Sequence, residues 1–137
     1  PNGRVMAVDI QDIEQLGARL PENVSVFCED VFERSPSFEQ EFQAWAPFDL
    51  VLSDMAPKTT GNKVTDQARS MNLAEEALLI AREHLKPGGH FVVKVFMGPD
   101  DEAYVKEMRG LFSKVKTFKP KSSRAESKEI FYIGLGR

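Results

Sequence analysis

The feature that most constrains the fold is the alternation of short apolar runs with segments of helical periodicity. The strand-like runs are 4–9, 23–28, 48–54, 89–96, 114–118 and 129–136. The helical patterns are 37–46, 66–85 and 100–112. Strands that alternate with helices predict an α/β fold, in which a mostly parallel sheet is covered by helices on both faces.

The last connection in the chain predicts a different strand direction. Residues 119–128 show no helical pattern and are too short for a crossover between parallel strands. We therefore expect the final strand to run antiparallel to the others. Its first residue, Glu129, then lies at the edge where the parallel strands end.

Composition indicates one globular domain spanning 1–137. The chain is 42% hydrophobic and 28% charged, and no apolar run approaches the length of a membrane span. The single cysteine, Cys28, fits a reducing compartment and is interpreted as a packing residue. His84 and His90 lack partners at metal-ligand spacing, so we predict neither a metal site nor a membrane association.

Charge is distributed unevenly along the chain. The net charge is −3, yet residues 113–137 carry seven basic and two acidic residues, a balance of +5. Four of these basic residues lie in the segment that leads to Glu129: Lys119, Lys121, Arg124 and Lys128. A basic segment on an acidic protein suggests a surface for a polyanion such as RNA, although a solvated charged loop fits the charge equally well.

Charged residues also end several predicted strands. Asp54 closes the strand 48–54, and Lys94 interrupts the apolar strand 89–96, where an unpaired ammonium would be costly to bury. Ligands bind at the carboxyl ends of parallel strands, and the predicted topology brings Asp54, Lys94 and Glu129 to that edge. Singly, such an aspartate is usually a turn former and such a lysine extends to water. Together they predict a lysine held between two carboxylates.

Asp9 and Asp30 indicate a nucleotide-like cofactor. An acid at the end of the second strand of a Rossmann-type sheet commonly accepts hydrogen bonds from ribose hydroxyls, which suits Asp9. Asp30, one strand further on, is placed to meet an adenine amino group. Each signal is weak alone, because residues 1–137 contain no glycine-rich loop that follows a strand.

Three motifs together resemble the FtsJ/RrmJ family of ribosomal RNA 2′-O-methyltransferases. They are DLVLSDMAPKTTG (49–61), HLKPGGHFVVKVF (84–96) and KPKSSRAESKEIFYIGLG (119–136). The resemblance implies a Rossmann-like fold that uses S-adenosylmethionine. It implies methyl transfer to the ribose 2′-OH of a nucleotide, expected to be a uridine, in the RNA of the large ribosomal subunit. The expected location is cytoplasmic, or mitochondrial in a eukaryote.

The resemblance also implies roles for individual residues. The family uses a Lys-Asp-Lys-Glu catalytic set, and Asp54, Lys94 and Glu129 match its last three members. Asp9 and Asp30 match cofactor positions at the ribose and the adenine, and Asp54 also borders the methionine end. The family's first lysine, first strand and glycine-rich loop precede these motifs. We therefore expect 1–137 to be the C-terminal part of a catalytic domain that needs the intact protein for activity.

Two other functions remain open at this stage. The same chemistry could serve transfer RNA or an mRNA cap, because the Lys-Asp-Lys-Glu set recurs in those enzymes. A non-catalytic RNA-binding module could also keep the fold, although it would have no reason to retain a lysine in an apolar strand. A nicotinamide-dependent dehydrogenase on a similar sheet would leave Lys94 and Glu129 unexplained.

Overall fold

A computed structural model describes residues 3–10, 21–119 and 129–137. The strands are β1 (Val5–Asp9), β2 (Val24–Cys28), β3 (Phe48–Ser53), β4 (Leu85–Phe96), β5 (Lys114–Phe118) and β6 (Glu129–Leu135). The helices are α1 (Pro36–Trp45), α2 (Lys63–His84) and α3 (Asp101–Leu111). These elements form two compact units that divide between Trp45 and Ala46, and the single domain expected from composition stays a prediction.

The first unit consists of a parallel strand pair and a helix. β1 and β2 pair in register from Val5 opposite Val24 to Asp9 opposite Cys28. Phe38 and Phe42 of α1 are buried, and the Phe38 ring packs 5.2 Å from that of Phe27 on β2. Parallel pairing places the carboxyl ends of both strands at the same edge of the pair.

The second unit contains a four-stranded sheet in the order β3-β4-β6-β5. β3 and β4 are parallel, whereas β6 runs antiparallel to both of its neighbours, β4 and β5. The antiparallel last strand predicted from the short connection is therefore confirmed. Glu129 is the first residue of β6 and lies opposite Phe96, the last residue of β4.

The core of this unit lies between the sheet and its helices. Alternate residues of β4 point into it, and Phe91, Val93 and Val95 are at most 1% exposed. They pack against a stripe of α2 that includes the buried Leu78, and the Tyr104 hydroxyl of α3 donates to the Ala74 carbonyl of α2 over 2.7 Å. Burial raises the pKa of the Tyr104 phenol, with smaller contributions from Glu107 and Glu75.

Three details differ from the sequence expectations. Leu50 and Leu52 of β3 are 47% and 67% exposed, because α2 covers one face of the sheet and these side chains alternate to the other. Cys28 is exposed, so its interpretation as a packing residue was wrong; its thiol donates to the Ile10 carbonyl. β4 begins at Leu85, four residues before the predicted strand start at residue 89, and it includes Gly88 at φ +82°.

Replacing Leu78 by alanine should lower the free energy of unfolding by about 2–5 kcal/mol, because the change leaves a cavity in the core. Urea denaturation of the intact protein measures this loss. The matched control is Leu79→Ala at the next position, where the side chain is 41% exposed and the cost should stay below about 1 kcal/mol. Equal losses at both positions would contradict the described core.

Candidate active site

Lys94 lies between two carboxylates near one end of the sheet. Its Nζ is 2.7 Å from Asp54 Oδ1 and 3.8 Å from Glu129 Oε1. The three residues are far apart in sequence, and the sheet topology alone brings them together. The juxtaposition predicted from strand ends is therefore present in the structure.

Strand register explains why these side chains meet. Ser53, the last residue of β3, pairs with Val93, so Asp54 follows directly beside Lys94. On the other side Lys94 pairs with Phe131, and Glu129 lies two residues before Phe131 on β6. Residues two apart on a strand share a face, so Glu129 and Lys94 lie on the same face of the sheet.

The three side chains differ in exposure. The Lys94 side chain is 14% exposed, that of Glu129 is 45% and that of Asp54 is 81%. Ion pairs with an exposed partner contribute only about 0–1 kcal/mol to stability. The charged set therefore adds little to folding, while it holds an ammonium group at a solvent-accessible edge where a substrate can reach it.

Polar residues of α2 hold the chain segments that follow Asp54 and Lys94. The Asp66 carboxylate accepts hydrogen bonds from the Thr60 amide and hydroxyl, both 2.9 Å long. The Phe96 backbone amide donates to Ser70 Oγ over 2.9 Å, and the Gln67 side-chain amide donates to the Met97 carbonyl over 2.7 Å. The first turns of α2 thus fix the chain segment that follows Asp54 and the one that follows Lys94.

Asp66 and Ser70 were not among the residues predicted to belong to the site. Both are fully buried, at 0% and 2% exposure, on the stripe that continues through Ala74, Leu78 and Ala81. Their position in the helix could have predicted their burial, because residues at helical spacing on a core-facing stripe are buried even when they are polar. A buried carboxylate in such a stripe needs hydrogen-bond donors, and here the loop supplies them.

Asp9 and Asp30 lie in the first unit at the carboxyl edge of its parallel pair. The Asp9 carbonyl accepts from the Glu29 amide, and Asp30 Oδ1 accepts from the Phe32 amide, each over 2.9 Å. The Asp30 side chain thus stabilises a turn after β2. Carboxylate oxygens at this edge fit the hydroxyl and amino groups of adenosine. The cofactor roles of Asp9 and Asp30 stay predictions.

The turn after β2 also contains a polar anchor that the sequence did not reveal. Glu29 Oε1 accepts from both the amide and the hydroxyl of Ser35. These hydrogen bonds lower the pKa of the Glu29 carboxyl, with the hydroxyl contributing most. They hold the chain between β2 and α1, the segment that includes Asp30.

Of the predicted RNA-binding residues, only Lys119 is described by the structure. Its Nζ donates to the Glu129 carbonyl over 3.0 Å, which joins the two ends of the basic segment next to the charged set. Lys121, Arg124 and Lys128 lie outside the described residues. The RNA-binding role of all four stays a prediction.

In residues 3–10, 21–119 and 129–137, no helix is long and apolar enough to cross a membrane. The part of the chain that the structure describes also holds no group of three histidine, cysteine, aspartate or glutamate side chains able to bind a metal ion.

Solved structures of methyltransferases share this Rossmann-like fold. A Plasmodium falciparum structure assigned to the ribosomal RNA methyltransferases has a TM-score of 0.77 at 23% identity, covering 98% of this chain and 74% of its own. Human methyltransferase-like protein 13, solved in complex with SAH, has a TM-score of 0.63 at 12% identity, covering 98% and 61%. At these identities the likeness concerns the fold alone.

The chain belongs to the FtsJ-like methyltransferase family, whose sequence profile matches residues 1–137. It is 65% identical to ribosomal RNA large subunit methyltransferase E of Oleidesulfovibrio alaskensis, covering 99% of this chain and 64% of the relative. It is 48% identical to the enzyme of the same name from Chromobacterium violaceum, covering 98% and 64%. The chain thus spans just under two thirds of the length of these relatives.

Proposed function

We propose that the intact protein transfers a methyl group from S-adenosylmethionine to the ribose 2′-OH of a nucleotide, a uridine, in large-subunit ribosomal RNA. The observation that carries this proposal is the Lys94 ammonium, held 2.7 Å from Asp54 and 3.8 Å from Glu129 in a chain of the FtsJ-like family. The names of the relatives that it matches support ribosomal RNA as the substrate.

The chemical difficulty in this reaction lies with the hydroxyl group. The bound cofactor supplies an electrophilic methyl group on a sulfonium, and the transfer requires oxygen, methyl carbon and sulfur in line. A ribose hydroxyl is a poor nucleophile until its proton leaves. The protein therefore has to hold the hydroxyl in place and stabilise the negative charge that develops on its oxygen.

Lys94 suits the second task better than proton removal. Its ammonium group lies within ion-pair distance of two carboxylates. An ammonium group cannot accept a proton, but it donates hydrogen bonds and stabilises a developing alkoxide. Asp54 and Glu129 then orient the ammonium, and the hydroxyl proton leaves to solvent at this open edge.

Two further groups of residues would bind the other parts of the reactants. Asp9 and Asp30 would hold the adenosine part of the cofactor through its ribose hydroxyls and its amino group. Lys119, Lys121, Arg124 and Lys128 would contact RNA phosphates and so bring the target ribose to Glu129, because phosphate contacts set the register of a bound nucleic acid.

Replacing Lys94 by methionine should slow methyl transfer by about 10²–10³-fold, because the variant loses the group that stabilises the alkoxide. The assay uses the intact protein, labelled cofactor, and isolated large subunits beside protein-free RNA. Asp49→Asn is the control, since Asp49 is 80% exposed and pairs with Lys86 at the other end of β3. Comparable urea unfolding midpoints for all variants would separate chemistry from stability. Absence of methyl transfer by the unmodified protein would refute the proposed enzymatic activity and favour a non-catalytic RNA-binding module.

The pH dependence distinguishes an electrostatic lysine from a basic one. If Lys94 acts as an ammonium, the rate should not rise through a lysine ionisation between about pH 7 and pH 9, and Lys94→Arg should keep part of the activity. Tyr132 contributes no ionisation to the pH profile in this range, because burial, assisted by Asp101, raises its pKa to about 12. A rising limb that disappears in Lys94→Arg would show that Lys94 accepts the proton.

Charge reversal in the basic segment tests the RNA surface. The double variant Lys121→Glu/Arg124→Glu should weaken RNA binding and reduce the slope of log affinity against log salt by about 1 per lost phosphate contact. Lys106→Glu on the exposed side of α3 is the matched control. Filter binding over a series of salt concentrations measures both quantities, and an unchanged affinity would place the RNA surface elsewhere.

A further inference from the structure

We propose that Asp66 is a positioning residue, which fixes the loop of residues 55–62 through Thr60 and thereby sets Asp54 beside Lys94. This inference rests on the proposed function and deepens it, because it assigns a role in the reaction to a residue outside the charged set. Asp66 does not touch the reacting atoms in this scheme. It acts on them through the backbone of the loop.

The burial of Asp66 is not explained by packing. Its side chain is 0% exposed on a stripe of α2 that otherwise contributes small and apolar residues to the core. Replacing a buried hydrogen-bonded group and its partner by apolar groups of the same shape is often nearly neutral for stability. What the carboxylate adds is two hydrogen bonds to the loop, from the amide and the hydroxyl of Thr60.

The Asp54 carboxylate depends on the loop because, apart from its ion pair with Lys94, little packing holds its exposed side chain. With 81% of its side chain exposed, its place is set by the backbone on either side. On one side, Ser53 is buried and paired with Val93. On the other side, the chain reaches a hydrogen-bonded anchor at Thr60. Loosening that anchor frees the Asp54 backbone to move away from the Lys94 ammonium.

Thr60 links Asp66 to the rest of the turn. Its hydroxyl accepts from the Asn62 amide over 3.1 Å while it donates to Asp66, and Gly61 between them has φ +85°. Asn62 in turn caps α2 by accepting from the Thr65 amide. The loop end is thus tied to the helix start, and Asp66 Oδ1 accepts both hydrogen bonds from Thr60 in this network.

The test compares Asp66→Asn, Thr60→Val and Thr60→Ser in the intact protein, with Asp49→Asn as the matched control for removal of a carboxylate. We expect Asp66→Asn and Thr60→Val each to slow single-turnover methyl transfer at saturating RNA and cofactor by about tenfold. The double variant Asp66→Asn/Thr60→Val should be no slower than the slower of the two single variants, because both changes break the same contact between Asp66 and Thr60. Thr60→Ser, which keeps the hydroxyl, should stay close to the parent rate, and so should Asp49→Asn.

The affinity for cofactor and the hydrogen exchange of residues 55–62 complete the test. We expect faster exchange in Asp66→Asn and Thr60→Val but not in Thr60→Ser. Because Asp54 is also expected at the methionine end of the cofactor, any loss of cofactor affinity should occur in those same two variants and not in Thr60→Ser. Thr60 is exposed, so Thr60→Val should fold even if Asp66→Asn does not. A parent-like rate in Thr60→Val, or a serine variant as slow as the valine variant, would overturn the inference.

The same experiment separates this inference from the proposed function. If the parent protein transfers no methyl group to large subunits, the proposed function fails, and hydrogen exchange alone then decides whether Asp66 anchors the loop. Faster exchange of 55–62 in Thr60→Val but not in Thr60→Ser would support the anchor. Equal exchange in the parent and Thr60→Val would overturn it.

Discussion

The pairing of Lys94 with carboxylates from its two sides is the interaction around which the second unit is arranged. A lysine in the central strand of a sheet, flanked by the buried Val93 and Val95, needs countercharges close to its ammonium group. One comes from the residue after a parallel neighbour and one from the start of an antiparallel neighbour. Both arrive at the same edge only because β6 runs opposite to β4.

Helix α2 serves this arrangement in two ways along its length. Its middle and C-terminal turns pack apolar residues against β4, which fixes the sheet. Its N-terminal turns place Asp66, Gln67 and Ser70 against the segments that follow Asp54 and Lys94. Apolar burial supplies most of the stability, whereas directional hydrogen bonds determine where the backbone near the charged set lies.

The first unit shows the same use of polar anchors on a smaller scale. A parallel pair brings Asp9 and Asp30 to one edge, and the hydrogen bonds from Ser35 to Glu29 hold the turn that includes Asp30. In both units a carboxylate thus holds a segment next to a predicted site residue. Such segments lie at the surface, where packing alone cannot fix them.

Much of the fold was readable in advance. Strands β1, β2, β3, β5 and β6 and all three helices lie within a few residues of their predicted positions, because apolar periodicity reports directly on burial. The antiparallel direction of β6 followed from the length of one connection. The exposure of Leu50 and Leu52 could not be predicted, because an apolar run looks the same whether one or both faces of its strand are covered.

By itself, the sequence determined the order and type of the elements and the presence of a lysine that required partners. The predicted strand directions identified Asp54 and Glu129 as those partners, and the three motifs indicated methyl transfer as the reaction. Only the tertiary structure decided the distances within the charged set and the burial of Asp66. Those depend on strand register and on which helical residues face the sheet, and both are settled by contacts between residues far apart in the chain.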